Sequence, residues 1–327
     1  MRAGPPAGIV AGMHRLLLLA LALAGMALAG AASAQAASLT FIKDHDVWIS
    51  NPDGSGAVRV TRDGTAKEPY RSPTRNAAGT IAALKGFHVH LLRPDGRRIR
   101  RFLPGALRDG MGAQTTAGTA SLDFSPDGTK LAYAKVSLNC ANVDCMARGV
   151  SGVMNLRGRI LATQKEYTGA FPSWVTDRIV LSHGGYGHQN MLWNTQTGAW
   201  ENWFDDSDLV APEHTTDLGD GEVSRDRRAY VAVRGYDATT AIATYHVNGD
   251  LAAPSPPPPT FLCTAQGPVS SPTISGDGAT AWWQEPDGVW TFPVSADCPD
   301  GRLLIPGASE PDWSPADVRR GRAARRG

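Results

Sequence analysis

The chain has 327 residues, with 32 basic against 31 acidic side chains and a formal net charge of +1. That balance excludes a globally basic nucleic-acid binder, and the length suits one large domain or two modest ones.

The first segment reads as a leader. Arg2 and Arg15 flank a weakly polar start, Leu16 to Leu28 is an apolar run, and Ala32-Ser33-Ala34 supplies small residues for cleavage. Basic, apolar and small in that order is a secretory signal peptide, so residues 1–34 are expected to be removed after Ala34. Met13 opens a shorter leader of the same kind. The run is short for a spanning helix, and no second long apolar segment follows. The mature chain is therefore read as exported, periplasmic or extracellular, with no stable membrane span.

From Leu39 onward the chain is written in short apolar runs broken by Asp-Gly and Pro-Asp-Gly turns. The stretch Leu122 to Val136, LDFSPDGTKLAYAKV, is the clearest copy. Asp and Gly tolerate the positive φ of a tight turn, and alternating apolar residues on either side mark a hairpin. Related stretches begin at Glu68-Pro69, Phe171-Pro172, Glu222-Val223, Pro272-Thr273 and Pro311-Asp312. After most of them comes a second hairpin, as at Val89 to Leu103 around Pro94-Asp95-Gly96. The unit is thus four strands, A to D, recurring about every fifty residues, in the range of propeller blades.

The repeat, an aromatic-Ser-Pro-Asp-Gly turn followed by a short apolar strand, resembles that of TolB-type β-propellers, a WD40-like pattern. Phe124-Ser125-Pro126-Asp127-Gly128 and Trp313-Ser314-Pro315 match closely; the copies at Ser72, Ser173 and Ser224 are degenerate. The resemblance spans nearly the whole mature chain but not the amino-terminal α/β domain that TolB carries. It implies an all-β, six-bladed propeller of four-stranded antiparallel blades. Three strands near Leu39 have no A strand, and the A strand at Trp313 has no B, C or D. Ring closure by pairing Asp312-Trp313-Ser314 with Leu39 to Ile42 solves both problems. The propeller is thereby assigned to residues 35–317, followed by a basic disordered tail, 318–327.

Four cysteines allow three pairings, and an even count in an exported chain points to disulfides. The adopted reading is Cys140–Cys145 and Cys263–Cys298. No Cys-x-x-Cys pair with histidine partners suggests zinc. Ala252 to Pro259, AAPSPPPP, is a stiff insertion that splits the fifth unit.

Loops between strands B and C, and D-to-A connections, share one face of such a ring. They carry His45, His88, His183, His188 and His214, with Glu68, Asp217, Glu222 and Glu310 near the inner ends. The glycine-rich run around Tyr186 is the most unusual of these loops. His45, His88, His183, His188, His214, Glu68, Tyr186 and Glu310 are therefore the candidate ligand-binding residues. No H-E-x-x-H motif or Asp-rich calcium loop is present, so no catalytic residue is assigned. No cofactor is required, although a divalent metal at the channel mouth fits these residue types. A G-x-S-x-G elbow is missing, which argues against a serine hydrolase. The expectation is a monomeric, non-catalytic binding or scaffold module for a protein or cell-envelope polymer, without nucleic acid. The alternative is a metal-assisted polysaccharide lyase or hydrolase using the histidine-bearing face, since propeller-like oligogalacturonate lyases gather His and Gln around a metal.

Overall fold

The structure, a computed structural model, describes residues 37–108, 114–115, 118–139, 146–164, 171–183, 189–205, 218–235, 240–297 and 299–318. Among these no helix is long and apolar enough to cross a membrane. The segment read as a signal peptide, Cys140, Cys145, Cys298, Tyr186, His188, His214, Asp217 and the tail from residue 319 lie outside the described residues.

Strands come in fours. β1 (Ser38–Lys43), β2 (Asp46–Ser50) and β3 (Val58–Arg59) await an inner strand. β4 (Tyr70–Arg75), β5 (Ile81–Lys85), β6 (His88–Leu92) and β7 (Arg98–Phe102) form blade II. A small hairpin, β8 (Leu107–Arg108) and β9 (Gln114–Thr115), which the repeat pattern did not anticipate, precedes blade III. Blade III holds β10 (Thr119–Phe124), β11 (Lys130–Asn139), β12 (Met146–Asn155) and β13 (Ile160–Thr163). Blade IV holds β14 (Ser173–Trp174), β15 (Ile179–Ser182), β16 (Asn190–Asn194) and β17 (Trp200–Phe204). Blade V holds β18 (Leu218–Val223), β19 (Ala229–Arg234), β20 (Ala241–His246) and β21 (Thr260–Gln266). Blade VI holds β22 (Ser270–Ile274), β23 (Thr280–Glu285), β24 (Gly288–Pro293) and β25 (Arg302–Pro306). The last strand, β26 (Ala308–Ser314), pairs with β1 and completes blade I in the order β26-β1-β2-β3. Its register is Ser38↔Ser314, Leu39↔Trp313 and Thr40↔Asp312, the closure the sequence predicts.

Period-two side chains explain why each blade is apolar on both faces. Ile81 and Ala83 pack toward blade I, whereas Ala82 and Leu84 pack toward blade III. Trp282 packs with Leu39 and Phe41 of blade I, while its neighbour Trp283 packs with Val231 and Ile242 of blade V. The apolar clusters sit one at each blade interface, so the core is a ring, not a central mass. Burial at those six seams holds the blades in register around an axis that remains polar.

The Ser-x-Asp turns between inner strand and next strand share one geometry. Ser125 Oγ donates to Asp127 Oδ1 at 2.6 Å, as Ser224 does to Asp226 and Ser275 to Asp277. Lys130 N–H donates back to Ser125 Oγ at 3.0 Å. Gly128 sits at φ +69°, and a Cβ there would meet Asn76 Nδ2 at 2.9 Å, so glycine is required twice over. These turns also meet each other: Asp127 N–H donates to Asp177 Oδ1 at 2.7 Å, and Asp226 N–H to Gly276 O at 2.9 Å.

The proline insertion leaves β20 and rejoins the blade at β21, splitting the fifth unit as expected. It lies back on blade IV, where Trp203 Nε1 donates to Pro257 O at 2.9 Å and Ser255 N–H to Glu201 Oε2 at 2.8 Å. Val318, placed by the sequence reading at the start of the tail, instead packs against the blade I–II seam.

Candidate functional site: the central channel

All six inner strands line a cavity of about 280 Å³ on the propeller axis. Aligning each inner strand on its turn gives a repeated pair of positions. The outer one holds Ser72, Ser121, Phe171, Asp220, Ser271 and Glu310. Five of these, all but Ser121, lie in the left-handed region, with φ between 44° and 68°. The strand ladder skips a residue at or beside this position in five blades. The bulge turns the strand inward at a cost that non-glycine residues accept mainly where function or packing demands it. Pro73, Pro172, Pro272 and Pro311 follow, bringing no N–H into the lumen. In blade III that place is Leu122, and its N–H is taken by Ser72 Oγ at 2.8 Å.

Two positions deeper stand Thr74, Asp123, Ser173, Glu222, Thr273 and Asp312. Carboxylates occupy blades I, III and V, and hydroxyls occupy blades II, IV and VI. These side chains stitch neighbouring blades together. Asp123 Oδ2 accepts from Trp174 N–H at 2.8 Å, Thr273 Oγ1 from Trp313 N–H at 2.9 Å, and Asp312 Oδ2 from Arg75 N–H at 3.2 Å. The outer positions repeat the device: Asp220 Oδ2 accepts from Ser271 N–H at 2.8 Å, Ser121 Oγ from Phe171 N–H at 3.2 Å, and Glu310 Oε2 from Ser72 N–H.

These few donors do not make up to a buried carboxylate for the water it has lost. Burial pushes Asp123 up to about 6 and Asp220 up to about 7. Glu222 is raised by the same desolvation and then by Asp123 and Asp220, and Asp312 by desolvation and then by Glu222 and Asp123 across the lumen. Glu310 is raised by burial, with Ser72 N–H and Arg71 pulling the other way. The channel is therefore a group of carboxyls that share protons around neutral pH and attract cations when they ionise.

Asp123, Glu222 and Asp312 also line a second cavity of about 260 Å³ on the turn side, so their ring is a waist between two vestibules. Arg225 lies over that second mouth. Its Nη1 donates to Pro126 O of blade III at 3.4 Å, and its guanidinium carbon is 5.7 Å from the Trp313 ring of blade I. On the opposite mouth Arg71 is the one cationic side chain among the lining residues, beside Phe171 and Gln284.

Of the predicted site residues that are described, Glu310 alone lines the channel. His45 and Glu68 are exposed on the rim of blades I and II. His88 is half-buried at the start of β6, with its ring against the Arg101 guanidinium at 3.1 Å. His183 is 3% exposed, its Nε2 3.2 Å from Tyr230 Oη, which itself donates to Asn190 Oδ1 at 2.6 Å. Burial holds this imidazole down to about 4, so it is a neutral packing group at the blade IV–V seam. The structure thus disperses the described histidines. Among the described residues no group of three or more His, Cys, Asp or Glu is arranged to hold a metal ion. The sequence reading named Glu222 and Glu310 but missed Asp123, Asp220 and Asp312. Counting back from each turn serine would have found them, because the same offsets recur in every unit. Cys263 is buried on β21 and disulfide-bonded; its partner lies outside the described residues.

No family model matches the chain, and no curated protein matches it. Solved structures do. TolB from Acinetobacter baumannii aligns with a TM-score of 0.56 at 15% identity, covering 85% of this chain and 66% of that one. A TolB-assigned protein from Agrobacterium tumefaciens aligns with a TM-score of 0.53 at 13% identity, covering 88% and 95%. An oligogalacturonate lyase in complex with manganese reaches a TM-score of 0.48 at 9% identity, covering 80% and 70%. The class is thus a six-bladed β-propeller closed through both chain ends. Within that class the fold is TolB-like, and the chain spans just under two thirds of the Acinetobacter protein.

Proposed function

We propose that this protein is an exported, non-catalytic binding module whose channel mouth, on the Asp220–Glu310 side, takes a cationic group from a protein partner or envelope polymer. The observation that carries the reading is the convergence of Asp123, Asp220, Glu222, Glu310 and Asp312 on one small cavity with Arg71 as the cation among its lining residues. A polyanionic sugar chain would meet those carboxylates head on, which weighs against the lyase alternative. Phe171, 40% exposed at the mouth, adds an apolar contact beside the charge. Export rests on the leader-like segment ahead of the propeller. Cys263–Cys298 remains the preferred pairing, which would tie β21 of blade V to the segment ahead of β25.

Calorimetry with tetralysine at pH 8 tests this. Binding should be measurable, should weaken at pH 5 as the carboxyls protonate, and should be lost in Asp220→Asn/Glu310→Gln. Unchanged affinity in that variant would overturn the channel as the site. Stoichiometric manganese binding together with cleavage of polygalacturonate would replace the binder with the lyase.

A further inference from the structure

The near-neutral net charge hides a strong local asymmetry. Between Arg93 and Arg108 stand six arginines, Arg93, Arg97, Arg98, Arg100, Arg101 and Arg108, against one acid, Asp95. They lie on and around β7, the outermost strand of blade II. Arg157 and Arg159 occupy the equivalent turn of blade III, and no acid falls between Met146 and Gln164. Among the described residues, Arg93, Arg97, Arg98, Arg100, Arg157 and Arg159 have no ion-pair partner; the ion pairs lie elsewhere. Arg101 faces His88 rather than a carboxylate.

The same two outer edges carry exposed apolar side chains. Eight large hydrophobics are exposed among the described residues, and four of them, Ile99, Leu103, Ile160 and Leu161, are here. Ile99 is 51% and Leu103 60% exposed. The two edges are contiguous: a Cβ on Gly105 would meet Ile160 Cδ1 at 2.6 Å, and one on Gly158 would meet Phe102 Cδ2 at 2.6 Å. Charge on an outer strand often serves to block edge-to-edge pairing. That duty would fall on every blade, yet β7 carries three arginines, β3 and β25 one each, and β13, β17 and β21 none, the basic side chains of blade III standing in the turn ahead of β13.

We infer that the outer edge of blades II and III is a docking surface for an anionic lipid bilayer. Unpaired guanidinium groups pair with headgroup phosphates, and the projecting Ile99, Leu103 and Leu161 enter the interfacial layer. A soluble polyanion would use the arginines but gain nothing from the apolar residues, which is why the lipid surface is the occupant favoured. The surface lies away from the channel and does not depend on the reading of the channel.

Vesicle co-sedimentation tests the inference, using the full chain and the same chain begun at Gln35, since the ring closes with residues from Ser38 onward. Vesicles of phosphatidylglycerol mixed with phosphatidylcholine should bind both; pure phosphatidylcholine should not. Arg98→Glu/Arg100→Glu should cut the bound fraction at least tenfold, and Ile99→Ser/Leu103→Ser should cut it severalfold with the thermal melt unchanged. Binding that survives the arginine reversal, or is lost only on removing residues 319–327, would overturn the proposal. Polyphosphate binding as tight as vesicle binding, with no effect of Ile99→Ser/Leu103→Ser, would assign the surface to a soluble polyanion instead.

Discussion

Asp123 and Asp127 are four residues apart in one hairpin, yet burial lifts the first to about 6 while the second sits at about 2. Both are acids hydrogen-bonded to backbone N–H groups and hydroxyls. Asp127 feels some burial, but Ser125 and Thr129 donate to it within its own turn and Lys130 stands 3.3 Å away. Asp123 reaches across to Trp174 of the next blade and faces Glu222 and Asp312 over a narrow lumen. The turn satisfies its carboxylate locally; the channel spends its carboxylates on holding blades together and leaves them short of solvation. The most recognisable motif in the chain is accordingly architecture, and the chemistry lies one strand inward.

The largest expected effect tests the stitching. Deleting residues from Ser309 onward removes the inner strand of blade I, the Asp312–Arg75 and Glu310–Ser72 bonds, and the cover over Leu39 and Phe41. The truncated protein should show no cooperative melt. A transition at the parent temperature would mean that the ring closes some other way.

Next is the pH dependence of stability. The channel carboxyls have folded-state pKa values above their unfolded values of 3.8 and 4.5, so the folded state holds more protons between about pH 4 and 8. Their contribution is complete below about pH 4 and is lost as pH rises through about 6 for Asp123 and about 7 for Asp220. The melting temperature should fall by several degrees between pH 5 and 8.5. Asp123→Asn/Glu222→Gln/Asp312→Asn should flatten that slope, whereas Asp127→Asn, whose group titrates near 2, should leave it as steep as before. A triple variant with the parental slope would remove the channel as its source.

Sequence reading carries unevenly to these two regions. The blade count and the closure through Leu39 and Trp313 were legible because period-two burial and Asp-Gly turns are local signals. The channel was only partly legible. Glu310 and Glu222 were noticed for their place near connections, but the alternation of carboxylate and hydroxyl is a relation among six strands scattered over the chain. His183 shows a complementary difficulty. His183 looks like a loop ligand beside glycines, but Tyr230, forty-seven residues away, supplies a buried partner.

The smallest predicted effect separates the two mouths of the channel. Arg225 lowers Asp123, Glu222 and Asp312 after desolvation has raised them, but it is not among the groups acting on Asp220 or Glu310, where Arg71 is the nearby cation for Glu310. Its side chain is exposed, so its pull is partly screened and belongs with surface charges of modest effect. Arg225→Gln should therefore raise the titration midpoints of Asp123 and the Glu222–Asp312 pair by a fraction of a unit, read by carboxyl NMR, and leave Asp220 and Glu310 in place. The stability loss with rising pH, whose onset is set by the unfolded values, should then run on to correspondingly higher pH. High salt should reproduce the shift in the parent and add little in the variant. Equal movement at both mouths would show that the guanidinium acts by reshaping the ring instead of by its charge.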